Sequence, residues 1–141
     1  MYHVYMKRYL HILAKIVFSL ILILPILGAT GVLGEATRDL YNTDVAFAFI
    51  QMLTTVMYIT YMMAVVHGIA LIALWTKREA LAALLELPIT LNVVAFHLVI
   101  DGGLLTGGAM LANVMLILNL YLLWVNRAMY LPLLKPQRVV V

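Results

Sequence analysis

The strongest constraint in this chain is a set of four long apolar segments, none of which alternates polar with apolar residues. They cover roughly residues 11–33, 45–75, 80–100 and 108–126. A bilayer core of about 30 Å is crossed by roughly 20 apolar residues in helix, or by a tilted barrel strand of about 10. Long segments without alternation therefore predict helices, not barrel strands. Composition agrees, with 66% of residues hydrophobic and 11% charged, where an ordinary soluble domain carries about 25% charged. A water-soluble core of this size would leave too much apolar surface uncovered. The expected fold is all-α, an integral-membrane four-helix bundle forming one transmembrane domain over residues 1–141.

The breaks between the segments follow from local chemistry. The stretch Gly34 to Asp44 is polar and turn-rich, with Asp44 expected to cap the second helix. Thr76-Lys77-Arg78-Glu79 forms a tight charged turn, and Asp101-Gly102-Gly103 stops the third helix. The second segment is too long for one upright crossing at 1.5 Å per residue. Its first turns, diluted by Gln51, Thr54 and Thr55, are expected to stand outside the bilayer. Gly28 and Gly31 are placed to let the first helix pack closely. That segment is longer than the apolar core of a secretory signal, so it is expected to remain as a helix.

Orientation follows from the basic residues. Four crossings put both termini on one side, which with the second-to-third turn carries Lys7, Arg8, Lys15, Lys77, Arg78, Arg127, Lys135 and Arg138. The opposite loops carry Arg38 with Glu35, Asp39, Asp44 and Asp101. The expected topology is N-in/C-in, both termini cytoplasmic, in a bacterial-type inner membrane. Tyr2, Tyr5, Tyr9, Trp75, Trp124 and Tyr130 would form an interface belt on the same side. The chain has no cysteine, which excludes disulfides, thiolate metal sites and cysteine nucleophiles. No basic run is interleaved with aromatics, so nucleic acid is not an expected partner.

Ionisable groups within hydrocarbon are costly and are functional candidates by default. Here they are Lys15, His67, Glu86 and His97, joined by the amides of Gln51, Asn92, Asn113 and Asn119. His67 lies eight residues before Trp75, and Glu86 eight after Arg78, so both stand about 12 Å from the same membrane face. Lys15 and Asn119 fall near that level, and the four are expected to converge on Glu86, whose carboxylate would pair with Lys15 or His67 or become neutral. A polar plug that fixes helix register is the plainer use of such a cluster. Nearer the other face, His97 and Asp101 are four apart and share one side of the third helix. Such a pair can shuttle protons or bind a divalent ion, while a capping Asp101 beside a hydrogen-bonded His97 is the commoner outcome. Haem ligation by His67 and His97 is disfavoured, because they differ in depth and two axial ligands must meet at one iron. On the second segment Gln51, Thr54, Thr55 and Tyr58 form one stripe with His67 nearly opposite, which predicts a second protein surface or a ligand groove.

At the third and fourth segments the sequence resembles the DoxX family of small four-helix membrane proteins. The likeness is carried by Pro88, Ile89, Asn92, Phe96, His97 and Leu98, in the pattern P-I-x-x-N-x-x-x-F-H-L, followed by Asp101-Gly102-Gly103. It continues through Leu120-Tyr121-Leu122-Leu123-Trp124-Val125-Asn126-Arg127, then Tyr130 and Pro132. It covers the last two helices closely and the first half in layout. The resemblance implies a quinone-linked role, as in thiosulfate:quinone oxidoreductase or terminal quinol oxidase assemblies, and it marks Pro88, Asn92, Phe96 and His97. The expected function is therefore a small DoxX-like membrane subunit of a larger redox or electron-transfer complex. No intrinsic cofactor is expected; quinone is the implied ligand, and other membrane subunits and lipids are the partners. A quinone or lipid head group would be held by His97, Asn92 and Tyr58, with Glu86 or His67 exchanging protons. The alternative is a purely structural four-helix accessory subunit without catalysis, and a third option is an oligomeric carrier of a small hydrophobic or protonated solute.

Overall fold

The computed structural model describes residues 2–136 and is entirely helical over them, apart from turns. Arg138 lies outside the described residues, as do the side chains of Tyr2 and Lys7. Helix α1 runs Tyr2–Ala29, α2 Asp44–Val56, α3 Tyr58–Trp75, α4 Glu79–Val99, α5 Gly107–Val125 and the short α6 Arg127–Tyr130. Four of them, over Arg8–Ala29, Tyr58–Trp75, Glu79–Val99 and Gly107–Val125, are long and apolar enough to cross a membrane. These are the dimensions of a membrane protein. α3 packs between α1 and α4, α4 packs on α5, and a narrower seam between α5 and α1 closes the bundle.

The expected helix over 45–75 is two helices. The chain breaks at Met57, whose φ of 60° and ψ of −31° leave the helical region. Its N–H still donates to the Leu53 carbonyl, closing α2, and its own carbonyl accepts from Tyr61, opening α3. The break has two causes. The hydroxyls of Thr54 and Thr55 donate back to the carbonyls of Ile50 and Gln51, a bond that competes with the helical ladder. A continuous helix would also run well past the bilayer, whereas the 18 residues of α3 span about 27 Å. The predicted stripe of Gln51, Thr54, Thr55 and Tyr58 is thus divided between two helices, with its threonines satisfied locally.

Three other expectations are corrected. α2 is capped by Thr43, not by Asp44: the Thr43 hydroxyl accepts from the Ala46 N–H at 3.0 Å and donates to the Ile100 carbonyl at 2.6 Å. Asp44 is the first helical residue and pairs with Arg38 at 2.6 Å. α1 begins well before residue 11 and ends at Ala29, because Gly31 takes a φ of 77° and turns the chain. Around Gly28 and Gly31 there is open space, so neither serves close packing.

The core is concentrated in the half of the bundle nearest the start of α4. Phe18 and Leu22 of α1, Leu74 of α3 and Leu122 of α5 are fully buried there, against Ala70, Ala73, Ala82 and Ala83. Alanine on α3 and α4 lets the backbones approach, which in lipid is the main source of packing energy. Leucines and isoleucines such as Leu20, Ile69 and Ile117 point outward, as lipid requires. Because Met57 holds a positive φ, glycine there relieves backbone strain of about 1 kcal/mol, while a β-branched residue adds to it. Thermal unfolding in mild detergent is expected to rank Met57→Gly above the parent protein and Met57→Val below it.

Candidate functional site

The inward face of α4 carries the chemistry. At 100° per residue, Glu79, Glu86, Thr90 and His97 fall within about 40° of one another, and Asp101 continues the line just past the helix end. Each carboxylate on this line is closed by an imidazole. His11 Nε2 meets Glu79 at 2.8 Å, His67 Nδ1 meets Glu86 at 3.0 Å, and His97 Nδ1 meets Asp101 at 2.9 Å. Three pairs are thereby stacked from one end of the bundle to the other.

The first pair belongs to a knot that ties all four spanning helices. Lys15 donates to the other Glu79 oxygen at 2.7 Å and lies over the Trp75 ring. His11 Nδ1 bonds the Tyr121 hydroxyl at 3.2 Å, and the Trp75 indole N–H donates to Ser19. Lys15 therefore does not join Glu86, as its depth had led us to expect. Glu79, two turns nearer the membrane face, is closer to the reach of a lysine directed at the interface.

The second pair is the most buried polar feature of the chain. His67 is 1% exposed and Glu86 0%, and Nδ1 is equidistant from both carboxylate oxygens at 3.0 Å. The common depth derived by counting residues is thus realised as direct contact. Asn119, at the same level on α5, donates to the Ala83 carbonyl at 3.1 Å. Its Oδ1 and the Thr90 hydroxyl are buried without a partner among the described residues.

The third pair closes the opposite end. Asp101 accepts from the Asn42 backbone N–H at 2.7 Å and its side-chain amide at 3.3 Å, besides His97. Burial raises the Asp101 pKa, but the bonds from Asn42 and His97 outweigh it and hold the carboxyl below the ordinary value. Gly108 makes this corner possible, since a Cβ there would stand 3.2 Å from His97 Cε1.

Between the second and third pairs lies a cavity of about 160 Å³. Ile21, Leu24 and Pro25 of α1 line it, His67 comes from α3, Val93 and His97 from α4, and Gly108, Leu111, Ala112 and Met115 from α5. Leu24 and Leu111 are 40% and 47% exposed, so the cavity opens sideways at the α1–α5 seam. Pro25 also deprives the Ile21 carbonyl of its helical donor. Although they sit at different depths, His67 and His97 reach the same space. Each has Nδ1 tied to a carboxylate, which sets the tautomer and leaves Nε2 for whatever enters, without a partner among the described residues.

Two sequence candidates lie elsewhere. Tyr58 is 59% exposed at the start of α3, and Asn92 is exposed on the outer side of α4. Gln51, on α2, is exposed as well. The cavity-lining residues of α1 and α5 escaped sequence reasoning because they are ordinary apolar residues. Glu79 was readable, lying seven residues before Glu86 and so on its face. Among the described residues no three metal-ligating side chains converge.

Two expected outcomes follow from the pairs. Glu86→Leu leaves the buried His67 without its partner and should cost about 3 kcal/mol, whereas the double variant His67→Leu/Glu86→Leu should recover most of that loss. Denaturant unfolding in detergent measures both; a double variant as unstable as the single one would show that the two residues are not coupled. Because the folded pKa of Asp101 is depressed, its stabilisation is present above the unfolded value of about 3.9 and fades as pH falls through the lower folded value. Acid unfolding profiles should show this loss in the parent protein and not in Asp101→Asn.

No protein-family model matches the chain, and no curated protein or solved structure matches it either.

Proposed function

We propose that this chain is a small, DoxX-like membrane subunit of a larger quinone-linked redox assembly, and that its central cavity receives the ring of a membrane-dissolved quinone. The observation that carries this reading is the cavity itself, flanked by two carboxylate-backed imidazoles. Its volume of about 160 Å³ is near that of a site known to hold a single benzene ring, about 150 Å³. The lateral opening between Leu24 and Leu111 faces lipid, where a quinone is dissolved. With Nδ1 donating to its carboxylate, Nε2 of His67 and of His97 accepts from a hydroxyl of the reduced quinol and donates to a ring oxygen of the quinone only once it has gained a proton, while Glu86 and Asp101 steady the imidazoles. Tyr58 and Asn92 have no part in it, being directed away.

A quinone supplies two-electron chemistry, and this chain has no thiolate for an iron–sulfur centre, so the electrons come from a partner subunit. The distribution of basic residues supports an N-in/C-in topology, with Lys77, Arg78, Arg127 and Lys135 on the cytoplasmic side of a bacterial-type inner membrane. The Asp101 end then faces outward. Polar residues turned to neighbouring chains would favour the structural-subunit alternative, and His67, Glu86 and Asn119 face inward.

Binding of a short-tailed quinone to the purified protein, followed by quenching of tryptophan fluorescence, tests this proposal. One quinone per chain is expected, with affinity falling about tenfold or more in Ala112→Phe and His97→Leu, and unchanged in the outward-facing Ile117→Ala. Absence of binding, or binding indifferent to Ala112→Phe, would overturn it.

A further inference from the structure

We infer that the bundle is a one-sided proton well: protons reach the buried His67–Glu86 pair from the Asp101 end, through His97 and the cavity, and not from the Glu79 end. The two ends of α4 are chemically alike, each a carboxylate held by a histidine, yet what lies between each end and Glu86 differs.

From the Asp101 end, polar groups lead inward as far as the cavity, and His67 stands on its other side. Asp101 sits just beyond the spanning part of α4, beside the exposed Asn42 and Gly102. His97 joins it and lines the cavity, and His67 lines the same cavity further in. The rest of the lining is apolar, so within its volume of about 160 Å³ the two imidazoles are the groups beside which water can be held. The buried, unpartnered Thr90 hydroxyl lies one turn beyond Glu86 on the same face of α4, in the direction of His97. It is a polar atom in need of a partner on the side from which protons would arrive.

From the Glu79 end the way is closed. The stretch between Glu79 and Glu86 is occupied by Ala82 and Ala83, both 0% exposed, against Leu74, Leu122, Phe18 and Leu22, all 0% exposed. The amide of Asn119 is spent on the Ala83 carbonyl. Inside this end His11 and Lys15 both bond Glu79, and Tyr121 bonds His11. Among the described residues, the part-buried ionisable groups of α1 and α5 are His11, Lys15 and Tyr121; the first two are held at Glu79 and Tyr121 at His11. The lateral opening at Leu24 and Leu111 faces lipid, which carries no protons.

The transfer balances as follows. With His67 neutral and protonated at Nδ1, and Glu86 ionised, a proton arriving at Nε2 releases the Nδ1 proton to the carboxylate. The pair gains one proton, ending as neutral His67 protonated at Nε2 and neutral Glu86, and no electron moves. The reverse sequence returns the proton to the cavity. This inference requires the cavity and not the identity of its occupant, so it stands apart from the quinone reading. With a quinone present, it would assign the protons of its chemistry to the Asp101 side of the membrane.

Histidine-selective nitrogen NMR of the full chain in lipid nanodiscs provides the test, with the His67 signal assigned by its loss in His67→Gln. The ring proton of His67 is expected to exchange with solvent deuterium about tenfold more slowly in Ala112→Phe, which fills the cavity, than in the parent protein. His11→Phe, at the other end, should leave the rate unchanged. Gly108→Val, which crowds His97, should slow exchange as well and serves if Ala112→Phe fails to fold. Exchange indifferent to both cavity variants, or slowed equally by His11→Phe, would overturn the inference. Loss of quinone binding with this exchange pattern intact would overturn the quinone reading alone.

Discussion

In hydrocarbon a buried charge is tolerated only when a partner of opposite or matching polarity stands within hydrogen-bond reach, and the architecture here follows from meeting that demand three times along one helix. Glu79, Glu86 and Asp101 each have a histidine against them. The histidines come from α1, α3 and α4 itself, so satisfying α4 fixes where two neighbouring helices must lie. Removing water makes each pair strong and makes each orphaned partner costly. The same bonds that set helix register also orient the imidazoles.

The two halves of the bundle divide the work. One half is dry, built from Phe18, Leu22, Leu74 and Leu122 packed on alanines, and it resembles the core of any close-packed helical membrane protein. The other half is looser, with proline in α1, glycine at the start of α5, and a cavity between them. Pro25 and Gly108 are poor choices for a stable helix interior or first turn in isolation. They stand here where Pro25 lines the cavity and where Gly108 leaves room for His97. The close-packed core thus lies toward one end and the cavity toward the other.

The site was partly legible in the sequence. Depth counted along the helices put His67 at the level of Glu86, since both rise at 1.5 Å per residue from the same turn, but left Lys15 as an equal partner. The spacing of four between His97 and Asp101 was enough for the third pair. The same counting misdirected Lys15, because a long flexible side chain reaches over more than one turn and ends where solvation is cheapest. Tyr58 and Asn92, which were expected to hold a ligand together with His97, lie on the outside, because depth says nothing about rotation of a helix about its axis. The break at Met57 was invisible for a related reason. No proline or glycine marks it, and it arises from competition between threonine hydroxyls, bilayer thickness and the packing of both halves.

What the sequence determined by itself was the solvent: four spans of sufficient length and apolarity, polar turns between them, and an uneven distribution of lysine and arginine. Those properties depend on composition along a line, and a line is what a sequence displays. What only the tertiary structure decided was which polar groups share an interior, and that one cavity joins His67 to His97 while a dry core separates both from Glu79. Those facts depend on helix rotation and on apolar residues from α1 and α5 that carry no chemical signal of their own. Apolar side chains in lipid have no preferred partner in the sequence, and packing alone selects the faces that meet.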